Sequence, residues 1–150
     1  MRASGILMPI FSLPSRYGIG SFSKSAYQFV DMLKKAGQKY WQILPLCPTS
    51  YGDSPYQSFS TYAGNPYFID LDQLIEEKLL TRKECQACDF GDDPQDIDYG
   101  KLYENRFKLL RKAYERANVG EDQEFEAYRR ENAWWLDDYA LFMAVKDRFD

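Results

Sequence analysis

The chain has 150 residues, with 19 Lys and Arg against 23 Asp and Glu, which gives a formal net charge of −4. Hydrophobic residues make up 45% and charged residues 28%, a balance that favours a buried core over wholesale disorder. A mildly acidic chain without a Lys- and Arg-rich face lacks the charge that nucleic acids and anionic membranes attract, so neither is expected as a partner. The chain has no histidine, which excludes histidine-dependent catalysis and histidine metal sites within these residues.

The cysteines indicate a reducing compartment. The chain has three cysteines, Cys47, Cys85 and Cys88. This number is odd and too small for a secreted disulfide scaffold, so we expect a cytoplasmic protein. The apolar run 5–11 is short and contains Pro9, and it resembles neither a membrane span nor a secretory signal. The Cys-x-x-Cys spacing could be half of a zinc site or a redox pair, but zinc needs four ligands and no second pair is present. An incidental pair is therefore preferred.

The first third of the chain is typical of a strand–helix–strand unit. Residues 5–10 form a short apolar run that predicts a buried strand. Apolar residues at helical spacing follow and predict an amphipathic helix, with Ser23 or Ser25 as its N-terminal cap and Gly37 at its C-terminal end. A second apolar and aromatic run, residues 40–46, predicts another buried strand. A helix between two buried strands implies parallel pairing through a right-handed crossover.

The remainder of the chain is mainly helical. Loop sequence continues to about Pro66, and residues 67–71 predict a short extended segment. Helical patterns then cover residues 74–80, 102–114 and 125–145, the last as one or two helices. Apolar side chains lie on more than one side of the last predicted helix, so we expect this helix to be buried against something larger. Two parallel strands cannot bury both faces of a sheet, which predicts further strands downstream.

Residues 48–67 form a loop that combines aromatic rings with hydroxyls, amides and one carboxylate. Sugars present an apolar C–H face and a rim of hydroxyls, so their binding sites pair aromatic platforms with short hydrogen-bonding side chains. The loop has this composition, although rings that merely pin it to the protein would give the same pattern. Its carboxylate, Asp53, has no visible partner for the paired-carboxylate chemistry of glycoside hydrolysis, so a turn-forming role is preferred.

The chain resembles the 4-alpha-glucanotransferases of glycoside hydrolase family 77, also called amylomaltases or disproportionating enzymes. The resemblance is carried by Gly-Asp-Ser-Pro-Tyr-Gln-Ser-Phe-Ser at residues 52–60, followed by Ala-Gly-Asn-Pro at 63–66. Other segments match family positions in family order: residues 12–14, 17–20, 37–38, 40–46, 98–99, 134–136 and 138–142. Two departures are Cys47, where the family commonly has glycine, and residues 9–12, which lack a histidine often found there.

The resemblance implies an α/β fold: the N-terminal part of a (β/α)8 TIM barrel with the start of a helical insertion subdomain. Residues 1–72 would supply the first two barrel strands, the intervening helix and the glucan-binding loop. Residues 73–150 would begin the insertion. Such a barrel typically needs about 250 residues, so the rest of it is expected outside this chain.

The resemblance also implies a function, the transfer of α-1,4-glucan segments between maltodextrins by a retaining double displacement. The aspartate nucleophile and glutamate acid/base belong to later strands, so no catalytic residue is expected here and the chain alone should be inactive. Tyr56 matches a tyrosine that stacks beside the sugar being cleaved, and Ser54 lies near that subsite. Tyr51 and Tyr103 match a pair that forms a second glucan-binding surface.

On this resemblance the expected partners are maltodextrins and other α-1,4-glucans derived from starch or glycogen, and no metal or organic cofactor is expected. An alternative function is a non-catalytic glucan-binding module, in which the aromatic loop only holds carbohydrate. A weaker alternative is a helical interaction protein that docks a partner through residues 134–145.

Overall fold

The computed structural model describes residues 2–50, 52–93 and 95–149. Two short strands, five α-helices and three 3-10 turns lie within these residues. The strands and helices are β1 (Gly5–Leu7), α1 (Lys24–Lys35), β2 (Tyr40–Gln42), α2 (Leu71–Glu76), α3 (Arg82–Gln86), α4 (Tyr99–Ala117) and α5 (Gln123–Phe149); the 3-10 turns are Ile10–Ser12, Pro66–Phe68 and Val119–Glu121. In the described part of the chain, no helix combines the length and apolar character needed to cross a membrane.

The two strands pair in parallel, as predicted, with Ile6 opposite Trp41 at the centre of the register. Both strands are shorter than the predicted runs, and all three residues of β1 are exposed. The prediction of buried strands is therefore wrong for this chain. The helix α1 covers one side of the pair through Phe29, whose ring meets Trp41 edge-on with centroids 4.9 Å apart.

Both ends of α1 follow the predicted capping signals. The Ser23 hydroxyl accepts a hydrogen bond from the backbone N–H of Ser25 at 3.3 Å. At the other end Gly37 has a φ of 71°, and the N–H of Gln38 donates to the carbonyl of Leu33 at 3.0 Å. This closing pattern requires a left-handed residue, which glycine adopts without a steric penalty.

The segment that follows the loop is a 3-10 turn, Pro66–Phe68, where an extended segment was predicted from residue 67. The Asn65 side chain accepts a hydrogen bond from the N–H of Tyr67 at 3.0 Å, and proline suits the first position of a helical turn. The prediction missed this local capping signal.

The core lies between the N-terminal third of the chain and helices α2 to α4. It includes side chains from both sides of residue 72: Ile10, Leu13, Ile19, Ala26, Tyr67, Phe68, Leu71, Leu80, Cys85, Phe90, Leu102, Leu109 and Ala113. The α5 helix is one continuous helix, and none of its described residues is buried. The burial expected for that helix is therefore absent from the described residues.

Candidate functional site

The aromatic loop begins after the carboxyl end of β2 and is closed at its base. The N–H of Asn65 donates to the carbonyl of Leu46 at 2.8 Å. Within the loop, the Cys47 thiol lies 3.7 Å from the carbonyl of Thr61. Loops at the carboxyl ends of parallel strands are where α/β proteins place their binding groups. The loop therefore occupies the expected position for a site.

Ser54 fixes the backbone that carries Tyr56. The Ser54 hydroxyl accepts a hydrogen bond from the N–H of Tyr56 at 3.3 Å, and the Ser54 carbonyl accepts one from the N–H of Gln57 at 3.1 Å. Tyr56 itself is 72% exposed, which leaves its ring free to meet a ligand. The two residues predicted to bind substrate thus belong to one turn.

Tyr103 lies on α4 and is 63% exposed. Its ring packs edge-on against Phe107, with centroids 5.4 Å apart, and Phe107 contacts Tyr67 at 5.6 Å. Because Tyr67 is the last residue of the aromatic loop, these contacts join Tyr103 to the end of that loop. Tyr51, its predicted partner, lies outside the described residues.

Asp53 adopts the predicted turn, with a left-handed φ of 54° and its N–H donating to the carbonyl of Ser50 at 3.1 Å. Partial burial raises the pKa of its carboxyl group. Burial, followed by the charge of Asp53, raises the pKa of Tyr67 to about 12. The same two causes raise the pKa of Tyr99. The charge of Asp53 therefore acts on both phenols, an interaction that the local sequence did not predict.

A second group of rings lies where the loop meets α5. Tyr62 contacts Trp134 edge-on at 4.6 Å, and Phe59 contacts Phe142 at 5.7 Å and stacks near Tyr139 at 6.4 Å. An open groove of about 420 Å³ lies along this contact and includes Asp138 among its lining residues. The sequence placed apolar side chains on more than one side of this helix, but no sequence signal identified the loop as its partner.

Arg106 is a further feature that the sequence analysis missed. Only 1% of its surface is exposed, and its guanidinium donates to the carbonyl of Ile69 while Nε and one Nη lack a partner among the described residues. Burial lowers the pKa of this guanidinium to about 10. The contact attaches α4 to the segment between the aromatic loop and α2.

The cysteine pair has no metal-site geometry. Among the described residues, no three or more Cys, Asp or Glu side chains are grouped so that they could hold a metal ion. Cys85 is buried, Cys88 is partly exposed, and burial raises the pKa of both thiols. A raised pKa disfavours the reactive thiolate, so neither thiol has the environment of a redox-active cysteine.

Comparisons with known proteins agree with one another. The model of glycoside hydrolase family 77, described as 4-alpha-glucanotransferase, matches residues 8–150. The 4-alpha-glucanotransferase of Clostridium butyricum is 56% identical over 95% of this chain and 29% of its own length. The 4-alpha-glucanotransferase of Streptococcus pneumoniae is 54% identical over 99% of this chain and 30% of its own length.

A solved structure gives the same assignment. The amylomaltase from Streptococcus agalactiae in complex with acarbose superposes with a TM-score of 0.91 at 46% identity. The match covers 99% of this chain and 30% of that one. The chain thus spans about 30% of the length of the relatives it matches. The family match over nearly all of its residues establishes that the chain belongs to the 4-alpha-glucanotransferases of glycoside hydrolase family 77.

Proposed function

We propose that the complete protein is a 4-alpha-glucanotransferase that transfers α-1,4-glucan segments between maltodextrins by a retaining double displacement. The observation that carries this proposal is the family match over residues 8–150. The identity of 56% to the Clostridium butyricum enzyme supports it. Because this chain spans 29% of that relative, we assign the aspartate nucleophile and glutamate acid/base to sequence beyond residue 150.

We propose that the complete fold is a (β/α)8 barrel in which β1 and β2 are the first two strands. Their parallel pairing around α1 supports this assignment, as does their exposure, because barrel strands need neighbours on both sides. On this view residues 1–72 supply barrel elements and the aromatic loop, and residues 73–150 begin a helical insertion. The insertion packs on the barrel elements through the shared core described above.

In the proposed enzyme, the turn at Ser54 and Tyr56 binds the glucan near the bond that is cleaved. An exposed tyrosine ring offers a flat face to the C–H side of a glucose unit, and the Ser54 hydroxyl holds the backbone from which that ring projects. Tyr103, together with Tyr51, would form a second glucan-binding surface. The acarbose bound by the Streptococcus agalactiae relative supports a carbohydrate as the ligand. Three free cysteines favour a reducing cytoplasm as the location.

Maltotriose disproportionation tests the proposed function. The complete protein and this 150-residue chain are compared for release of glucose and formation of longer maltodextrins. We expect activity in the complete protein alone. If the complete protein is inactive but still binds maltodextrin, it is a glucan-binding module and the proposed transfer reaction is wrong.

A further inference from the structure

Asp53 differs from the other turn-forming aspartates of this chain in what its carboxylate contacts. Aspartates in turns usually accept a hydrogen bond from the backbone N–H two residues ahead. Four aspartates in the described residues do so, at distances of 2.8–3.1 Å: Asp70, Asp89, Asp93 and Asp122. At Asp53 the residue two ahead is Pro55, which has no N–H to donate.

The next backbone donor is also occupied. The N–H of Tyr56 donates to the Ser54 hydroxyl, so it does not supply Asp53. Among the described residues, the Asp53 carboxylate has neither a hydrogen bond nor an ion pair. It is partly buried, and this burial raises its pKa. Withdrawing a carboxylate from water without a compensating hydrogen bond costs free energy. Turn formation therefore accounts for the Asp53 backbone and leaves its side chain unexplained.

The backbone of Asp53 adds a second cost. A φ of 54° is left-handed, which disfavours a residue with a Cβ, although aspartate tolerates it better than most. Glycine would remove this strain, and asparagine would keep the side-chain shape without a charge. Burial, followed by the charge of Asp53, raises the pKa of Tyr67 and of Tyr99, and the turn of Asp53 also carries the exposed ring of Tyr56. A carboxylate that has no partner among the described residues, on one turn with an exposed ring, matches the two needs of a sugar, a hydroxyl partner and a platform.

We propose that the Asp53 carboxylate is a substrate-binding group that accepts a hydrogen bond from a hydroxyl of a glucose unit held at the Ser54–Tyr56 turn. This inference rests on the proposed function and adds to it a residue that recognises substrate. The ligand hydroxyl would replace the water that the carboxylate has partly lost. A hydrogen bond to a charged group changes binding by about 10- to 100-fold.

The first test compares Asp53→Gly, Asp53→Asn and Asp53→Ala in the complete protein. The control is Asp93→Asn, because the Asp93 carboxylate already accepts a hydrogen bond from the N–H of Gln95. A backbone role alone predicts that the Gly and Asn variants keep the wild-type kcat/KM for maltotriose and that Ala is the most impaired. Our proposal predicts that Gly and Asn both lose about 10- to 100-fold in kcat/KM, with Tm unchanged or raised in the Gly variant. Wild-type kcat/KM in the Gly and Asn variants would overturn it.

The second test identifies the hydroxyl with a series of monodeoxy maltotrioses. One of these analogues should react at least tenfold more slowly than maltotriose with the wild-type protein and show little such loss with Asp53→Gly. Equal losses in both proteins for every analogue would contradict the proposed contact. If the wild-type protein shows no disproportionation, the proposed function fails separately, and calorimetric binding of the same analogues then decides the role of Asp53.

Discussion

Tyr56 combines a backbone that is held by its neighbour with a side chain that stays exposed. The Ser54 hydroxyl accepts a hydrogen bond from the Tyr56 N–H, so the turn fixes the backbone from which the ring projects, and Tyr56 is 72% exposed. A backbone that is already ordered has less conformational freedom to lose when a sugar stacks on the ring. The two residues should therefore affect catalysis differently, Tyr56 through direct contact and Ser54 through the position of that contact.

Replacing Tyr56 tests its role as a sugar platform. In the complete protein, Tyr56→Ala should lower kcat/KM for maltotriose disproportionation by about 10- to 100-fold, since an aromatic contact of about 1.5–3 kcal/mol is lost in the transition state. Tyr27→Ala is the control, because Tyr27 is 74% exposed on α1, away from the loop. An unchanged kcat/KM for Tyr56→Ala would remove this residue from the substrate site.

Tyr103 should matter for long glucans more than for short ones. Tyr103→Ala should weaken binding of amylose severalfold while kcat/KM for maltotriose stays within about twofold of wild type, as for an ordinary surface substitution. Tyr114→Ala is a matched control on the same helix, since Tyr114 is 64% exposed and Tyr103 63%. An equal loss on maltotriose and amylose would argue against a second binding surface.

At the scale of whole elements, the caps of α1 and the parallel pairing implied by the strand–helix–strand order were predictable, whereas the contacts between the loop and α5 were not. The caps of α1 follow from Ser23 and Gly37, because each acts on its own helix end. The contacts of Phe59 and Tyr62 with α5 join residues more than 70 positions apart, and no local pattern encodes them. The effect of the Asp53 charge on the pKa of Tyr67 and Tyr99 likewise depends on the fold and not on the local sequence.

One carboxylate, that of Glu84, joins α3 to α4 at the surface. Glu84 forms a capping box with Thr81 and a two-pronged ion pair with Arg116, at 2.8 and 2.9 Å. The bonds from Arg116, and then those from Thr81, hold the pKa of Glu84 well below its ordinary value of 4.5. The charged carboxylate thus stabilises the native state above the unfolded-state pKa, and this contribution disappears as pH falls through the lower native-state pKa.

Glu84→Gln should lower the Tm of the complete protein at pH 7. The difference from wild type should stay constant down to about pH 4.5 and shrink at more acidic pH, where the wild-type carboxylate also becomes protonated. Glu76→Gln on α2 is the control, since no ion pair of Glu76 is found in the described residues. A Tm difference that persists undiminished in strong acid would show that charge is not what Glu84 contributes.

At the scale of the whole molecule, the chain exposes more surface than its mass requires. Its accessible surface is 11,095 Å², whereas a compact monomer of 17.6 kDa has about 7,900 Å². The excess includes large apolar side chains of β1, β2 and α5, among them Leu7, Tyr40, Trp134, Leu141 and Phe149. In the proposed barrel, further strands and helices would cover these side chains.

The 150-residue chain by itself should therefore associate or bind a hydrophobic dye, and the complete protein should do neither to the same extent. The measurement is fluorescence of a dye such as ANS, together with light scattering, at equal molar concentrations. Equal dye binding by the two proteins would show that these apolar faces stay uncovered in the complete protein, which would contradict the proposed packing.

The positions of the three tryptophans give the molecule a built-in optical reporter. Trp41 lies inside the βαβ unit, where its indole N–H donates to the carbonyl of Met8 at 2.7 Å, whereas Trp134 and Trp135 lie together on α5. With Trp41 replaced by phenylalanine, the tryptophan fluorescence of these 150 residues would come from Trp134 and Trp135 on α5. A shift of that emission to shorter wavelength would then follow, in real time, the moment at which a folding polypeptide covers this helix.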